Sequence, residues 1–362
     1  MNKQVDLIRQ AVDSRIYYLK DKPFIVTDEG SVAKSEFYVD HTPLSDRLQQ
    51  AQGETPWTLG PLAEGEEWLA VTFREQKEIP LTTDELESFL QHSEQAVKDA
   101  YARMSLDQGH AWMKHVEQEV NFALGEFALQ PGQTCLDFGC GLGRHTLSLA
   151  EKGWDTTGVD FVPEFIDRAS QQAALAQLSS AHFQQADCRT ASLDRTFDAA
   201  LCLYDVVGSF AEAADNQKII ERLAAHLKPG APVLISVMNM EMTEYHAKHL
   251  VPDVFANPAV LTALPPSKIM QKTGNVFDPD YYLIDQKTGI VYRKEQFTGD
   301  TRLPAQLIIR DRRYRRVELS AMCEQAGLET IWTRCVQAGH WDIDLPPTDR
   351  KAKEILYLGR KR

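Results

Sequence analysis

The spacing of hydrophobic positions along this chain changes character near residue 134. Upstream, short apolar runs at Phe24–Thr27, Phe37–Val39 and Trp68–Phe73 alternate with turn-rich stretches such as Gly53–Pro61. Runs of this length bounded by turn residues predict strands. Thr82 and Glu85 then fit a capping box, in which a hydroxyl and a carboxylate satisfy the first amides of a helix. Leu86, Phe89, Leu90, Val97 and Tyr101 follow at mostly helical spacing. A second amphipathic helix is predicted through Trp112, Met113, Val116, Val120, Leu124 and Phe127, ending before Pro131-Gly132. The reading divides the chain into an accessory α+β segment over 1–100 and a main domain over 101–362.

From Thr134 short apolar runs alternate regularly with helical segments. Strands are expected at Thr134–Phe138, Thr156–Asp160, Ala181–Gln185, Phe197–Tyr204 and Val233–Met238. Helices are expected at Arg144–Lys152, Pro163–Leu178 and Asn216–Leu227. Such alternation implies βαβ units and a parallel sheet covered on both faces. The pattern breaks over 239–313, where Pro-rich turns and hairpin-like strands predict an antiparallel insertion. Tyr281–Asp285 and Ile290–Arg293 flank the turn Gln286-Lys287-Thr288-Gly289, with Gln306–Arg310 as a third strand. A helix at Val317–Ala326 and strands at Glu329–Cys335 and Ile355–Leu358 close the chain.

The chemistry-bearing motif is Leu136-Asp137-Phe138-Gly139-Cys140-Gly141-Leu142-Gly143-Arg144. A strand runs into three glycines at alternate positions and a helix follows. Glycine lets the backbone turn tightly and approach a ligand without Cβ interference, and the helix start offers unpaired amides to an anionic group. Asp160 ends the next strand, 23 residues after Asp137, where a carboxylate can hold both ribose hydroxyls of a nucleoside. The dinucleotide fingerprint is GxGxxG or GxGxxA. Here the third glycine comes one residue early, and Asp137 stands where it would repel a pyrophosphate. A ligand bearing an ammonium group suits this loop better.

Residues 134–238 resemble the core of the class I S-adenosylmethionine-dependent methyltransferases. The stretch LDFGCGLGRHTLSLAEKGWDTTGVDFVPEFIDRA is similar to that family's glycine loop, helix and acidic strand end. Gln185-Ala186-Asp187-Cys188 resembles the segment that reads adenine, and Phe197–Tyr204 the fourth strand, bordering the methyl donor. Leu227-Lys228-Pro229-Gly230 resembles the turn before the fifth strand, with Ala231 where the family usually has a second glycine. The resemblance implies a doubly wound, mostly parallel seven-stranded α/β fold. It implies S-adenosylmethionine as cofactor, S-adenosylhomocysteine as product and no metal. It also implies that Asp137 and the loop Gly139, Cys140, Gly141 and Gly143 bound the methionine part, that Asp160 binds the ribose and that Phe161 lies against the adenine. Asp187 and the Cys188 backbone would read the adenine edge, and Leu203 would border the methyl group. Arg144 and His145 read as helix-face residues.

The cofactor brings the electrophile in such a reaction, so the protein supplies position, desolvation and sometimes a base. Tyr204 and Asp205 at the fourth strand end are the candidate catalytic residues. Aromatic residues of the two segments outside the core, among them Tyr17, Trp57, Trp68, Tyr245, Phe255 and Tyr282, are candidates to wall the acceptor pocket.

Composition narrows the acceptor. The chain has 362 residues, 43% hydrophobic and 25% charged, with net charge −13. That field opposes unspecific binding to nucleic acid or anionic membrane. The fourth strand end reads Leu203-Tyr204-Asp205-Val206-Val207, without the Pro-Pro-aromatic motif of enzymes that methylate exocyclic base nitrogens. A basic cluster at Arg310, Arg312, Arg313, Arg315 and Arg316 keeps an RNA or protein acceptor as the alternative, and a non-catalytic cofactor-binding protein is a further one. A small-molecule acceptor is the favoured reading, and the accessory segment suits a pocket cap or a homodimer contact. Six cysteines without CxxC spacing, and an N-terminus without an apolar core, read as a reduced cytoplasmic protein.

Overall fold

The computed structural model describes strands at 15–19, 22–25, 37–43 and 68–73, and then residues 114–128, 130–257, 260–265, 267, 276–296 and 306–362. The helix predicted from Thr82 lies outside the described residues. The first four strands, β1 (Arg15–Leu19), β2 (Lys22–Ile25), β3 (Phe37–Pro43) and β4 (Trp68–Phe73), form an antiparallel sheet in the order β2-β1-β4-β3. The apolar runs there predicted three of them; β1 is an addition.

The main sheet has seven strands. They are β5 (Thr134–Phe138), β6 (Asp155–Asp160), β7 (Ala181–Gln185), β8 (Ala199–Cys202), β9 (Pro232–Met238), β14 (Leu328–Val336) and β15 (Glu354–Lys361). Their order is β14-β15-β9-β8-β5-β6-β7, parallel except where β15 pairs with β9 and β14. The doubly wound, mostly parallel seven-stranded α/β sheet is therefore present. Neighbouring β5 and β8 carry the chain out to opposite edges. The strand order reverses between them, which is where ligands bind in such sheets.

The central strands β5, β8 and β9 are buried on both faces, as parallel strands between helices require. Alternate residues serve opposite faces. Leu136, Phe138, Val233, Ile235, Ile355 and Tyr357 join one apolar cluster, and Cys135, Leu201, Leu234, Leu356 and Leu358 the other. The first is covered by α4 (Ala213–Ala225) through Ile219, Ile220 and Leu223, and by α7 (Arg316–Gln325) through Leu319 and Cys323. The second is covered by α1 (Val116–Phe127) through Val120, Ala123 and Phe127, and by α2 (Arg144–Glu151) through Leu149. Between β6 and β7, α3 (Pro163–Leu175) begins with a proline in its first turn, where no amide partner is lost.

After β9, Asn239 caps a helix that the sequence pattern did not reveal. This is α5 (Met240–His246), and Asn239 Oδ1 accepts the amides of Glu241 and Met242. The insertion is a four-stranded sheet, β10 (Leu250–Val251), β11 (Tyr282–Asp285), β12 (Ile290–Gln296) and β13 (Gln306–Arg312), with the short α6 (Val260–Ala263) beside it. The predicted hairpin turn forms where Asp285 Oδ1 accepts the amides of Lys287 and Thr288. β13 returns to the core, where the Arg312 amide donates to the Gly208 carbonyl at 2.8 Å.

Two predicted strands differ most from their expected lengths. The fourth core strand stops at Cys202, because Tyr204 and Asp205 take φ of 60° and 66° and leave the extended region. The last strand runs eight residues, held on both sides by β9 and β14.

Candidate active site

At the carboxyl end of β5 the chain turns through Gly139 (φ 86°), Gly141 (φ 54°) and Gly143 (φ 73°). The amides of Gly139 and Cys140 both donate to the Val159 carbonyl on β6. These glycines serve different ends. A Cβ at Gly139 would lie 2.3 Å from Val206, and one at Gly143 would lie 2.5 Å from the Phe183 ring. A Cβ at Gly141 would meet nothing within 4 Å. Gly141 therefore borders open space at the strand ends, while its neighbours are glycine because the packing leaves no room. Gly139→Ala is expected to destabilise the fold by about 1–3 kcal/mol from overpacking, with left-handed strain added. Gly141→Ala bears only the strain, so its larger effect is expected on cofactor affinity. Thermal melts and S-adenosylhomocysteine calorimetry on the pair check this separation.

Carboxylates fix the loop. Asp137 is buried and accepts Thr146 Oγ1 at 2.7 Å and the Thr146 amide at 3.2 Å, pinning α2 to β5. Asp160 Oδ2 accepts the Gly141 amide and Oδ1 the Val162 amide, each at 2.9 Å. Burial raises the Asp160 pKa, and these amides offset only part of that. Phe161, next in line, keeps 39% of its surface exposed, beside the buried Val162. Asp187 is held by Arg189 through three side-chain hydrogen bonds of 2.7–3.1 Å, and Arg189 reaches on to Asp215. The thiols of Cys140 and Cys188 are buried, which pushes both well above the ordinary range. Leu203 is buried among the residues under Tyr204.

Tyr204 and Asp205 face different surroundings. The Tyr204 amide donates to Ser236 Oγ at 2.7 Å and its hydroxyl to Glu119 on α1. The Arg144 guanidinium lies 4.3 Å over its ring, and His145 stacks beside it at 6.1 Å. His145 Nε2 meets the other Glu119 oxygen at 2.9 Å. Arg144 and His145, expected as helix-face residues, thus belong to a polar cluster at the strand ends, with Glu119, Tyr204, Ser236 and Glu354. Asp205 turns toward the insertion. Gly208 makes room for it, since a Cβ there would lie 2.4 Å from Asp205 Oδ1. Burial and then the charge of Asp311 push its carboxyl well above the carboxylate range, against Arg313 and Arg293.

Glu119, Ser236 and Glu354 were not legible as site residues. Glu119 is one acidic position of an amphipathic helix, and Glu354 one end of a short strand. The aromatic wall is only partly described: the N-terminal rings lie outside the described side chains. Tyr282 is fully buried with its hydroxyl on the Thr243 carbonyl, and Tyr245 is 70% exposed.

The arrangement fits S-adenosylmethionine. Open space at Gly141, a carboxylate at the end of β6 and an exposed ring at Phe161 all lie at the carboxyl ends of adjoining strands. Residues 135–230 match a family model described as a methyltransferase domain. A ubiquinone biosynthesis O-methyltransferase of Coxiella burnetii is 30% identical over 134 residues, covering 37% of this chain and 52% of that protein. The match thus spans about half of that relative. A 23S rRNA (uracil(1939)-C(5))-methyltransferase of a Shewanella species is 42% identical over 65 residues, covering 18% of this chain and 14% of that protein. Among solved structures, the CcbJ methyltransferase of Streptomyces caelestis superposes with a TM-score of 0.52 at 14% identity, covering 73% of this chain and 96% of that one. Glycine loop, acidic strand ends, sheet order and family match agree: residues 135–230 form a methyltransferase domain on the fold of the class I S-adenosylmethionine-dependent enzymes.

Proposed function

We propose that this protein transfers a methyl group from S-adenosylmethionine to a small-molecule acceptor. The observation that carries the reading is the open space at Gly141, whose amide donates to the Asp160 carboxylate, at the end of β5 beside the strand that leads to Tyr204. S-adenosylmethionine supplies a methyl carbon made electrophilic by the attached sulfonium. The chain's own part is to bind and orient. Asp137 and the Gly139–Gly143 loop bound the methionine part, with Cys140 keeping the turn tight. Asp160 accepts from the ribose, and Phe161 covers the adenine. Asp187 and the Cys188 backbone read the adenine edge. Leu203 and Tyr204 border the methyl position, and Asp205 closes that side toward the insertion.

A small acceptor is favoured over RNA because the basic cluster is already engaged. Arg313 is buried and bonded to Asp311, Thr243 and the Val276 carbonyl. Arg312 donates to the Ala211 carbonyl, Arg315 pairs with Glu244, and Arg316 with Asp344 at 2.8 Å. Such guanidinium groups are not lined up for phosphates. Among the described residues no helix is long and apolar enough to cross a membrane.

The reading is tested by labelled methyl transfer from S-adenosylmethionine to a panel of metabolites and to tRNA and rRNA. Transfer to a small molecule is expected. Transfer to RNA alone, with retention falling steeply in salt as phosphate contacts demand, would reverse the acceptor class. S-adenosylhomocysteine is expected to bind in calorimetry, and NAD is not. Asp160→Ala is expected to weaken S-adenosylhomocysteine by about one to two decades, the loss of a charged acceptor from paired hydroxyls. An affinity within about twofold of native would remove Asp160 from the ribose.

A further inference from the structure

The polar cluster behind Tyr204 contains one group that cofactor binding leaves unused. Glu354 opens β15, and the antiparallel return of that strand sets it opposite Met238, at the carboxyl ends of the parallel strands. Strand alternation places it on the face of Leu356 and Leu358, which α1 and α2 cover. Ser236 links it to the strand end: Ser236 Oγ accepts the Tyr204 amide and is hydrogen-bonded to the Glu354 carboxyl. The other carboxyl oxygen, Oε2, is sealed from solvent and has no hydrogen-bond partner among the described residues. A buried polar oxygen in that state is costly, so it marks a place where something else bonds.

The groups around Glu354 come from four elements. Glu119 faces it from α1, Arg144 and His145 stand at the start of α2, and Tyr204 and Asp205 follow β8. Lys353 precedes it in its own chain segment. Glu119 cannot take a further partner in the same way, because one of its oxygens meets His145 and the other accepts from Tyr204. Arg144 and Tyr204 are only half-buried, so the cluster reaches the open side of the strand ends.

We propose that Glu354 Oε2 binds the ammonium group of the methyl acceptor beside Tyr204, which makes the acceptor a small amine. The inference rests on the methyltransferase reading above. Burial, and then the charge of Glu119, push the Glu354 carboxyl up to about 8, so it waits as a neutral acid near neutral pH. An incoming ammonium stabilises the carboxylate, and the displaced proton leaves to solvent. The ion pair then passes one ammonium proton to Oε2: the N–H bond breaks with its electron pair left on nitrogen, and an O–H bond forms. The nitrogen then holds the lone pair that a nucleophile requires. A hydroxyl or carbon acceptor brings no positive charge to this oxygen.

Sinefungin tests this directly, because it carries a primary amine where the donor carries its methyl-bearing sulfonium. Its affinity relative to S-adenosylhomocysteine is measured by calorimetry for the native protein and Glu354→Gln. In the native protein that preference is expected to rise between about pH 6.5 and about pH 8.5, as the carboxyl ionises. Near neutrality, titration in two buffers of different ionisation heat should show proton release on sinefungin binding and none with S-adenosylhomocysteine. Glu354→Gln should lower the preference about tenfold or more and abolish the release, with S-adenosylhomocysteine within about twofold of native. An unchanged preference in Glu354→Gln would overturn the proposal. So would an equal loss for S-adenosylmethionine itself, which would assign Glu354 to the donor's sulfonium, or methyl transfer confined to hydroxyl-bearing members of the panel. If native protein binds no S-adenosylhomocysteine, the methyltransferase reading fails instead.

Discussion

Above pH 8, Glu354→Gln is expected to be more stable than the native protein by roughly 3 kcal/mol, while at about pH 4 the two should melt alike. The Glu354 carboxyl has an ordinary value of 4.5 in the unfolded chain and is raised to about 8 in the folded one. A folded state that holds its proton more tightly gains stability only while the unfolded state is also protonated. That gain is complete below about pH 4.5 and is lost as pH rises toward 8, because the unfolded chain ionises freely and the buried group does not. The full shift corresponds to nearly 5 kcal/mol at about 1.4 kcal/mol per unit, and water reaching the half-buried residues beside it lowers this. Glutamine keeps the shape, does not ionise, and leaves one polar atom without a partner much as the neutral acid does. Denaturant titrations of both proteins at about pH 4 and about pH 8.5 check the expectation. Equal pH slopes for the two proteins would mean that Glu354 is solvated and titrates normally.

The elements that position the site were legible for a simple reason. Buried parallel strands and the helices between them write two clear periods into the sequence. Gly139–Gly143 and Asp160 sit where a strand meets a helix, so pattern and chemistry coincide there. The strand over Thr134–Phe138 has the predicted bounds, and so does the one over Ala181–Gln185. The hairpin at 286–289 was equally plain, because Asp285 and Gly289 leave few turn geometries open.

The polar cluster was not legible, because proximity in the sheet made it. Glu119 lies 85 residues before Tyr204, on a helix whose pattern announces only one apolar face. Glu354 reaches the site because β15 runs antiparallel into a parallel sheet. That strand's amino end thereby joins the carboxyl ends of the others. Tyr204 was legible as a candidate, but its left-handed backbone was not. A run of apolar residues through Leu203 gives no sign that the strand stops at Cys202. Asp205 was legible as a carboxylate and not as a buried one, since the residues that enclose it, Arg293, Asp311 and Arg313, come from the insertion.

Glu119→Ala is expected to cost about 2–5 kcal/mol, because at this buried position it leaves two polar partners unsatisfied at about 1–3 kcal/mol each. The Glu119 side chain is fully buried, with His145 on one oxygen at 2.9 Å and the Tyr204 hydroxyl on the other. Alanine leaves the imidazole and the phenol without that partner, at a position where α1 covers the sheet. For a domain of this size the melting temperature should fall by about 10 °C. Burial pushes the Glu119 carboxyl upward, but the hydrogen bonds from His145 and Tyr204 and the nearby Arg144 outweigh it and hold the pKa below 4.5. A lowered folded value contributes stability above the unfolded pKa and loses it as pH falls through the folded one. The difference between native and Glu119→Ala should therefore shrink below about pH 4.5 and be full at neutrality. Glu119→Gln separates charge from shape. Its amide oxygen still accepts from Tyr204 and its other terminal atom still faces His145 Nε2, so it should recover most of the loss near pH 7. It should also remove the acid-side dependence. If alanine and glutamine are equally destabilising, ionic attraction to His145 and Arg144 outweighs the hydrogen-bond geometry in this cluster. If neither destabilises, Glu119 does not join α1 to the strand ends.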